Sequence, residues 1–220
     1  MYCAACFLVL GLSVLAINLF LPGLRQRRLL AGFGSRAFLR VAGIAFSVEG
    51  IERLPTTPCV VVANHASYID ALAIAAALPP DFAFVIKKEM VKVPIAGLLL
   101  SRLGSQFVER FDRHKGATDA RRVLKLAAAG QSLMFFPEGT FDENRRIGRF
   151  LGGAFTTALR NRMPVVAVAI HGTRNVMPPG GIAIYRRPIK VEILGVMGAE
   201  EARATVREMI ARAVGEPLAP

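Results

Sequence analysis

The chain has 220 residues, enough for one domain with a sizeable core and too few for two full domains. It is basic and apolar at once, with a formal net charge of +12 at pH 7, 53% hydrophobic residues and a mean hydropathy of +0.44. That combination points to a membrane surface. It excludes nucleic acid as the expected partner, because such a module is polar, with clustered cations beside exposed aromatics, whereas this chain has no Trp and three Tyr.

From Cys3 to Leu21 no residue is charged, and only Gly11, Ser13 and Asn18 interrupt the apolar run. About twenty such residues suffice to cross a bilayer as one helix. A cleaved signal peptide fits less well, since no cation precedes the apolar core and no small-x-small site follows Leu21-Pro22-Gly23. Arg25, Arg27 and Arg28 come next, and the positive-inside tendency places that end, and all that follows, on the cytoplasmic side of the cell membrane. Between Arg25 and Phe46, five arginines stand among Leu, Phe, Val and Ile with no acidic residue. Such a segment either lies in the headgroup layer or packs on the rest of the chain with a solvated basic face, while Gly32, Gly34 and Gly43 weaken the helical pattern. A hairpin bent at Pro22-Gly23 and dipping into one leaflet joins both readings. Residues 1–45 are therefore read as a membrane-associating helical segment and 46–220 as the main domain. Cys3, Cys6 and Cys59 form no disulfide framework, and Cys3-Ala4-Ala5-Cys6 lacks a second ligand pair, so Cys3 and Cys6 read as small hydrophobes.

After Phe46 the pattern becomes α/β. Strands are expected at 46–49, 59–63, 82–86, 106–108, 132–136, 165–170 and 189–194, and helices at 71–78, 95–103, 117–129, 153–161 and 200–213. This alternation predicts a mainly parallel sheet covered by helices on both faces.

The richest stretch is Cys59-Val60-Val61-Val62-Ala63-Asn64-His65-Ala66-Ser67-Tyr68-Ile69-Asp70. A strand delivers His65 to the end of a sheet, and Asp70 falls in the first turn of the helix behind it. There the carboxylate could hold the ring nitrogen that faces away from a substrate, making a base with its orienter. On the residues alone an equal alternative stands, in which Ser67 or Asp70 caps the helix and His65 is a turn residue. Three further strand ends carry chemistry: Gly104-Ser105-Gln106-Phe107-Val108-Glu109-Arg110, Phe135-Phe136-Pro137-Glu138-Gly139-Thr140, and the strand opened by Met163-Pro164. In open α/β sheets, ligands bind at the carboxyl ends of strands.

Taken in order, Asn64-His65 with Asp70, Gly104-x-x-Phe107-Val108-x-Arg110, Phe136-Pro137-Glu138-Gly139-Thr140 and Pro164-Val165-Val166 resemble the glycerolipid acyltransferase family typified by lysophosphatidate acyltransferases. The likeness covers about residues 46–195 and includes Lys88-Glu89-Met90 before Pro94-Ile95-Ala96-Gly97. It implies a membrane-associated enzyme that moves a fatty acyl group from acyl-CoA or acyl carrier protein to the free hydroxyl of a lysophospholipid. The foremost acceptor is 1-acylglycerol 3-phosphate, giving phosphatidic acid. Both substrates are consumed in the reaction, so no resident cofactor and no metal is expected. Under this resemblance His65 and Asp70 are the catalytic pair, and Asn64, Gly104, Phe107, Arg110, Phe136, Pro137, Glu138, Gly139 and Thr140 are the substrate-binding residues.

The residues suit that chemistry on their own account. Acyl transfer to an alcohol needs a base whose pKa lies near neutrality, and the acceptor oxygen attacks directly, so no enzyme nucleophile is required. No Gly-x-Ser-x-Gly elbow is present. Three positions depart from the family pattern: Phe141 and Asp142 stand where Arg and Ser commonly follow Gly-Thr, and Ala167 replaces a second Pro in the fourth motif. Arg145, Arg146 and Arg149 either replace the lost phosphate contact or are solvated loop charges. His114 and His171 show no metal-ligand spacing with His65. Alternatives from other classes are a different lysolipid acceptor, a non-catalytic lipid- or carrier-binding protein on the same fold, and a hydrolase using His65 to activate water.

Overall fold

A computed structural model of the chain describes residues 2–109, 113–141 and 143–220. Seven strands form one sheet: β1 (Phe46–Glu49), β2 (Val60–Ala63), β3 (Phe82–Lys87), β4 (Gln106–Val108), β5 (Ser132–Phe135), β6 (Val165–His171) and β7 (Ile189–Met197). Their spatial order is β1-β7-β6-β2-β5-β3-β4. The five strands from β6 to β4 run parallel. β7 turns back antiparallel to β6, and β1 pairs parallel with β7 at the far edge. The expected mainly parallel sheet is therefore present, with a reversed pair on one side.

β2 lies at the centre, and each of Val60, Val61, Val62 and Ala63 is fully buried. A strand covered on both faces has no solvent side, which is why it reads as an unbroken apolar run rather than an alternation. Its period of two still sorts side chains between layers. Val61 and Ala63 pack with Phe38 and Leu39 of α2 (Leu24–Val41) and with Ile69, Ala73 and Ile74 of α3 (Ile69–Ala77). Val60 and Val62 face the opposite layer, where α5 (Arg113–Ala128), α6 (Gly153–Asn161) and α8 (Ala199–Val214) supply Val123, Phe155, Val206 and Ile210. The fully buried Cys59 thiol is pushed up to about 11 by desolvation, so it stays a neutral packing group.

The N-terminal helices join the core. α1 (Tyr2–Phe20) buries only Cys3, Leu15 and Asn18 along its length. It is held at both ends: the Tyr2 hydroxyl donates to the Val41 carbonyl at 3.2 Å, and the Arg102 guanidinium donates to the carbonyls of Asn18 and Leu19 at 2.8 Å each. Arg102 ends α4 (Ala96–Arg102) and satisfies carbonyls that α1 leaves open at its C-terminus. The glycines of α2 mark close approach. A Cβ on Gly32 would meet the Ala75 carbonyl at 2.8 Å, and one on Gly34 would collide with Val14 of α1. The α2 arginines also have structural partners: Arg36 donates to Ala76 O at 2.9 Å and Arg28 to Leu103 O at 3.0 Å.

Candidate active site

The site forms at the carboxyl ends of β2 and β5, as the crevice rule for open sheets anticipates. Past Ala63 the Asn64 side chain extends the β2–β6 ladder, donating to Ile170 O at 3.0 Å and accepting Ile170 N–H at 2.8 Å. The pin fixes where the chain leaves the sheet, and His65 follows at once. His65 Nδ1 lies 2.8 Å from Asp70 Oδ2. That oxygen also accepts the main-chain N–H groups of Ala66 at 2.6 Å and Ser67 at 2.8 Å. An oxygen held by two donors serves as acceptor for the ring too, so Nδ1 carries hydrogen and Nε2 keeps its lone pair in the neutral imidazole. Asp70 is fully buried, while the His65 side chain retains 18% exposure. One carboxylate thus shapes the turn and orients the ring, joining the capping and orienting readings of the sequence.

The β5 side closes around the same ring. Phe136 stacks on His65 with centroids 4.4 Å apart, and Phe141 meets it edge-on at 4.5 Å. Tyr68 in turn touches Phe141 at 4.9 Å. Between these aromatics, Glu138 Oε1 accepts the His65 main-chain N–H at 2.7 Å and Oε2 accepts that of Gly148 at 2.6 Å. Burial pushes the Glu138 carboxyl above its ordinary value, against the pull of those two donors. Gly139 makes the turn possible with φ of 75°, its N–H bonding Phe136 O at 3.0 Å. A base with a fixed tautomer, partly exposed and walled by apolar rings, is equipped to take a proton from a bound hydroxyl.

Comparison with known proteins places this arrangement. A family model described as Acyltransferase matches residues 45–171, more than half of the chain. The chain belongs to the Acyltransferase family. A chloroplastic 1-acyl-sn-glycerol-3-phosphate acyltransferase from Arabidopsis thaliana is 36% identical over 74% of this chain and 48% of its own length. A 1-acyl-sn-glycerol-3-phosphate acyltransferase from Pseudomonas aeruginosa is 30% identical over 79% of this chain and 67% of its own. The chain spans 40% and 48% of the length of two chloroplastic relatives it matches, from Brassica napus and Arabidopsis thaliana. The crystal structure of a 1-acyl-sn-glycerophosphate acyltransferase from Thermotoga maritima superposes with a TM-score of 0.80. It covers 97% of this chain and 93% of the other at 22% identity, a likeness of fold.

In this member of the Acyltransferase family, the structure gathers His65, Asp70, Phe136, Glu138 and Gly139 in one place. Asn64 and Glu138 spend their polar atoms on main-chain partners. Pro137 is buried, its carbonyl accepting Leu151 N–H at 2.9 Å, and Thr140 is exposed. Gly104 lies at the amino end of β4, with φ of 72° and beside Leu24 and Arg28 of α2, away from the carboxyl ends that carry His65. Phe107 sits within β4, and its carbonyl accepts from Arg122 at 2.6 Å. Arg110 lies outside the described residues. His171 pairs with Glu192, Nε2 to Oε2 at 3.1 Å. Sequence reasoning missed Gly148, Ser67 as donor to Met177 O at 2.7 Å, and the aromatic contact of Tyr68. No local pattern marks them, because each partner comes from a distant segment.

Proposed function

We propose that the chain is a membrane-associated O-acyltransferase that esterifies the free hydroxyl of a lysophospholipid, foremost 1-acylglycerol 3-phosphate. The observation that carries this reading is the His65–Asp70 pair at 2.8 Å, with Nε2 left as acceptor in a partly exposed ring. His65 Nε2 takes the acceptor proton as the hydroxyl oxygen attacks the thioester carbonyl. Asp70 stabilises the imidazolium that forms. The tetrahedral intermediate collapses, the C–S bond breaks, and the imidazolium returns the proton to the thiolate, with no acyl-enzyme at any stage. The thiol belongs to coenzyme A or to acyl carrier protein.

Membrane association is supported by α1, which is long and apolar enough to cross a bilayer and leaves Val9 63% and Phe20 88% exposed. One end is bonded to α2 and the other to α4 of the main domain, which favours the hairpin that dips into one leaflet over a crossing helix. Lying in the leaflet would bring the crevice to lysolipids that partition there. The face presented to lipid is taken to be cytoplasmic, from the cations after α1.

Phe141 favours a second reading of the acceptor. An apolar ring against His65 stands where the family pattern has a phosphate-pairing Arg, so a lysolipid with another headgroup is the rival substrate. One assay decides: thiol release from acyl-CoA and, separately, from acyl-acyl carrier protein, by the protein in mixed micelles offered lysophosphatidate, lysophosphatidylglycerol and other lysolipids in turn. Release with lysophosphatidate alone is expected. Release without any acceptor would indicate a hydrolase, and no release with any acceptor would indicate a binding protein.

A further inference from the structure

The loop after Phe141 and the connection from α7 (Thr173–Val176) to β7 wall a cleft of about 780 Å³ that the chemistry above does not use. Its size falls in the range of small-molecule sites, roughly 300–1,000 Å³. Arg145, Arg174 and Arg187 line it, with Glu143, Asn175 and Tyr185 between them. Glu216 lies 3.9 Å from Arg174 and offsets part of that charge. Arg145 donates to Asn175 Oδ1 at 3.2 Å, which fixes its guanidinium at the rim. Among the described residues, Arg187 has no ion-pair partner. Several guanidinium groups on one concave surface repel one another, and a bound anion relieves that cost.

One wall continues a segment that touches His65, and the other a segment that touches Ser67 of the same turn. Ser67 Oγ donates to Met177 O at 2.7 Å, and Pro178 and Pro179, next in the chain, line the cleft. On the other side Glu143 and Arg145 follow Phe141, whose ring meets His65. The cleft and the His65 turn are thus joined through the Ser67–Met177 bond on one side and through the Phe141 ring on the other. Guanidinium forks match the paired oxygens of phosphate and carboxylate, and the substrates of the acyl-transfer reading carry phosphate.

We propose that this cleft binds a phosphate group of a substrate acylated or deacylated at His65, with Arg145 and Arg187 as its clamps. The proposal rests on the acyl-transfer reading and deepens it: Phe141 removes a cation beside the base, and Arg145, further along the same loop, supplies one in the cleft. Two sources share this chemistry, the phosphomonoester of the acceptor and the phosphates of a coenzyme A donor.

Phosphorus NMR line broadening of two probes, sn-glycerol 3-phosphate and adenosine 3′,5′-bisphosphate, tests the site with the full chain in micelles and without turnover. The wild type should broaden at least one, and Arg145→Gln/Arg187→Gln should bind that probe about tenfold or more weakly. Glycerol phosphate responding assigns the acceptor, and the bisphosphate responding assigns the donor. In the thiol-release assay, the KM of the matching substrate should rise by a larger factor than kcat falls. No broadening by the wild type, or equal broadening by the double variant, overturns the proposal. If the double variant loses its thermal transition, Arg187→Gln alone, an exposed side chain, carries the same comparison. Arginine-dependent probe binding in a protein that acylates no lysolipid would overturn the acyl-transfer reading and leave the anion site standing.

Discussion

Glu138 binds the main chain of His65: its Oε1 accepts the His65 N–H at 2.7 Å while Oε2 holds Gly148 at 2.6 Å. One carboxylate thereby locks the His65 loop to the loop that follows Phe141. The sequence reading assigned Glu138 to acceptor binding, whereas its two oxygens are taken up by main-chain donors. In Glu138→Gln only one oxygen remains, and the new amide N–H₂ group opposes a donor. Stability should fall by about 1–3 kcal/mol, as for a buried N–H left unsatisfied. Urea melts measure that loss, and steady-state kinetics should show kcat falling with acceptor KM little changed. A KM effect larger than the kcat effect would favour a direct part for Glu138 in acceptor binding.

The same residue sets a pH dependence. Burial raises its native pKa above the ordinary 4.5, so the folded state holds this proton more tightly than the unfolded state does. Its contribution to stability is therefore fully present below pH 4.5 and is lost as pH rises through the native value. Relative to Glu138→Gln, which does not titrate, the wild type should lose stability as pH rises from 4.5 through that raised native value. Urea midpoints of both proteins across that interval give the slope, and parallel curves would show that the two donors cancel the effect of burial.

Asp70→Asn keeps an oxygen for the Ala66 and Ser67 N–H groups and for the ring but removes the negative charge from that acceptor of three hydrogen bonds. The imidazolium that would form on taking a proton at Nε2 then loses its stabilising carboxylate. The expected loss in kcat is on the order of 10³ to 10⁴, by analogy with a triad whose orienting carboxylate is amidated. Thiol-release kinetics on a variant shown folded by circular dichroism provide the check.

Gly34 allows α1 to approach α2. In Gly34→Ala the added methyl meets Val14, and overpacking of this kind costs about 1–3 kcal/mol. Val14→Ala should recover most of the loss when combined with it. Thermal or urea unfolding of the two single variants and the double variant makes the cycle, and additive losses would mean the two helices do not meet there.

Much of the sheet was legible because its signals are local. The β-branched run at 60–62, the Pro and Gly punctuation and the strand-helix alternation placed all seven strands within a few residues. β7 runs to Met197 rather than Leu194 because antiparallel pairing with β6 carries it beyond its most apolar part. The four-residue α7 was not expected, since a single turn shows no periodicity. The glycines of α2 looked like helix weakeners, and they lower helix propensity in water. In the folded chain they sit where α1 and the α3 carbonyls leave no room for a Cβ, and tertiary packing outweighs propensity.

The sequence by itself determined the base and its orienter as candidates, because His65 and Asp70 lie within a single strand-to-helix turn whose geometry short-range spacing fixes. It also determined the apolar, cation-flanked N-terminus. Only the tertiary structure decided that Glu138 grips the His65 backbone, that Asn64 pins β2 to β6, and that Arg145, Arg174 and Arg187 share one cleft. Those partners are brought together from distant segments by parallel strand pairing and the packing of two helical layers. No spacing along the chain encodes a contact whose existence depends on the fold of everything between.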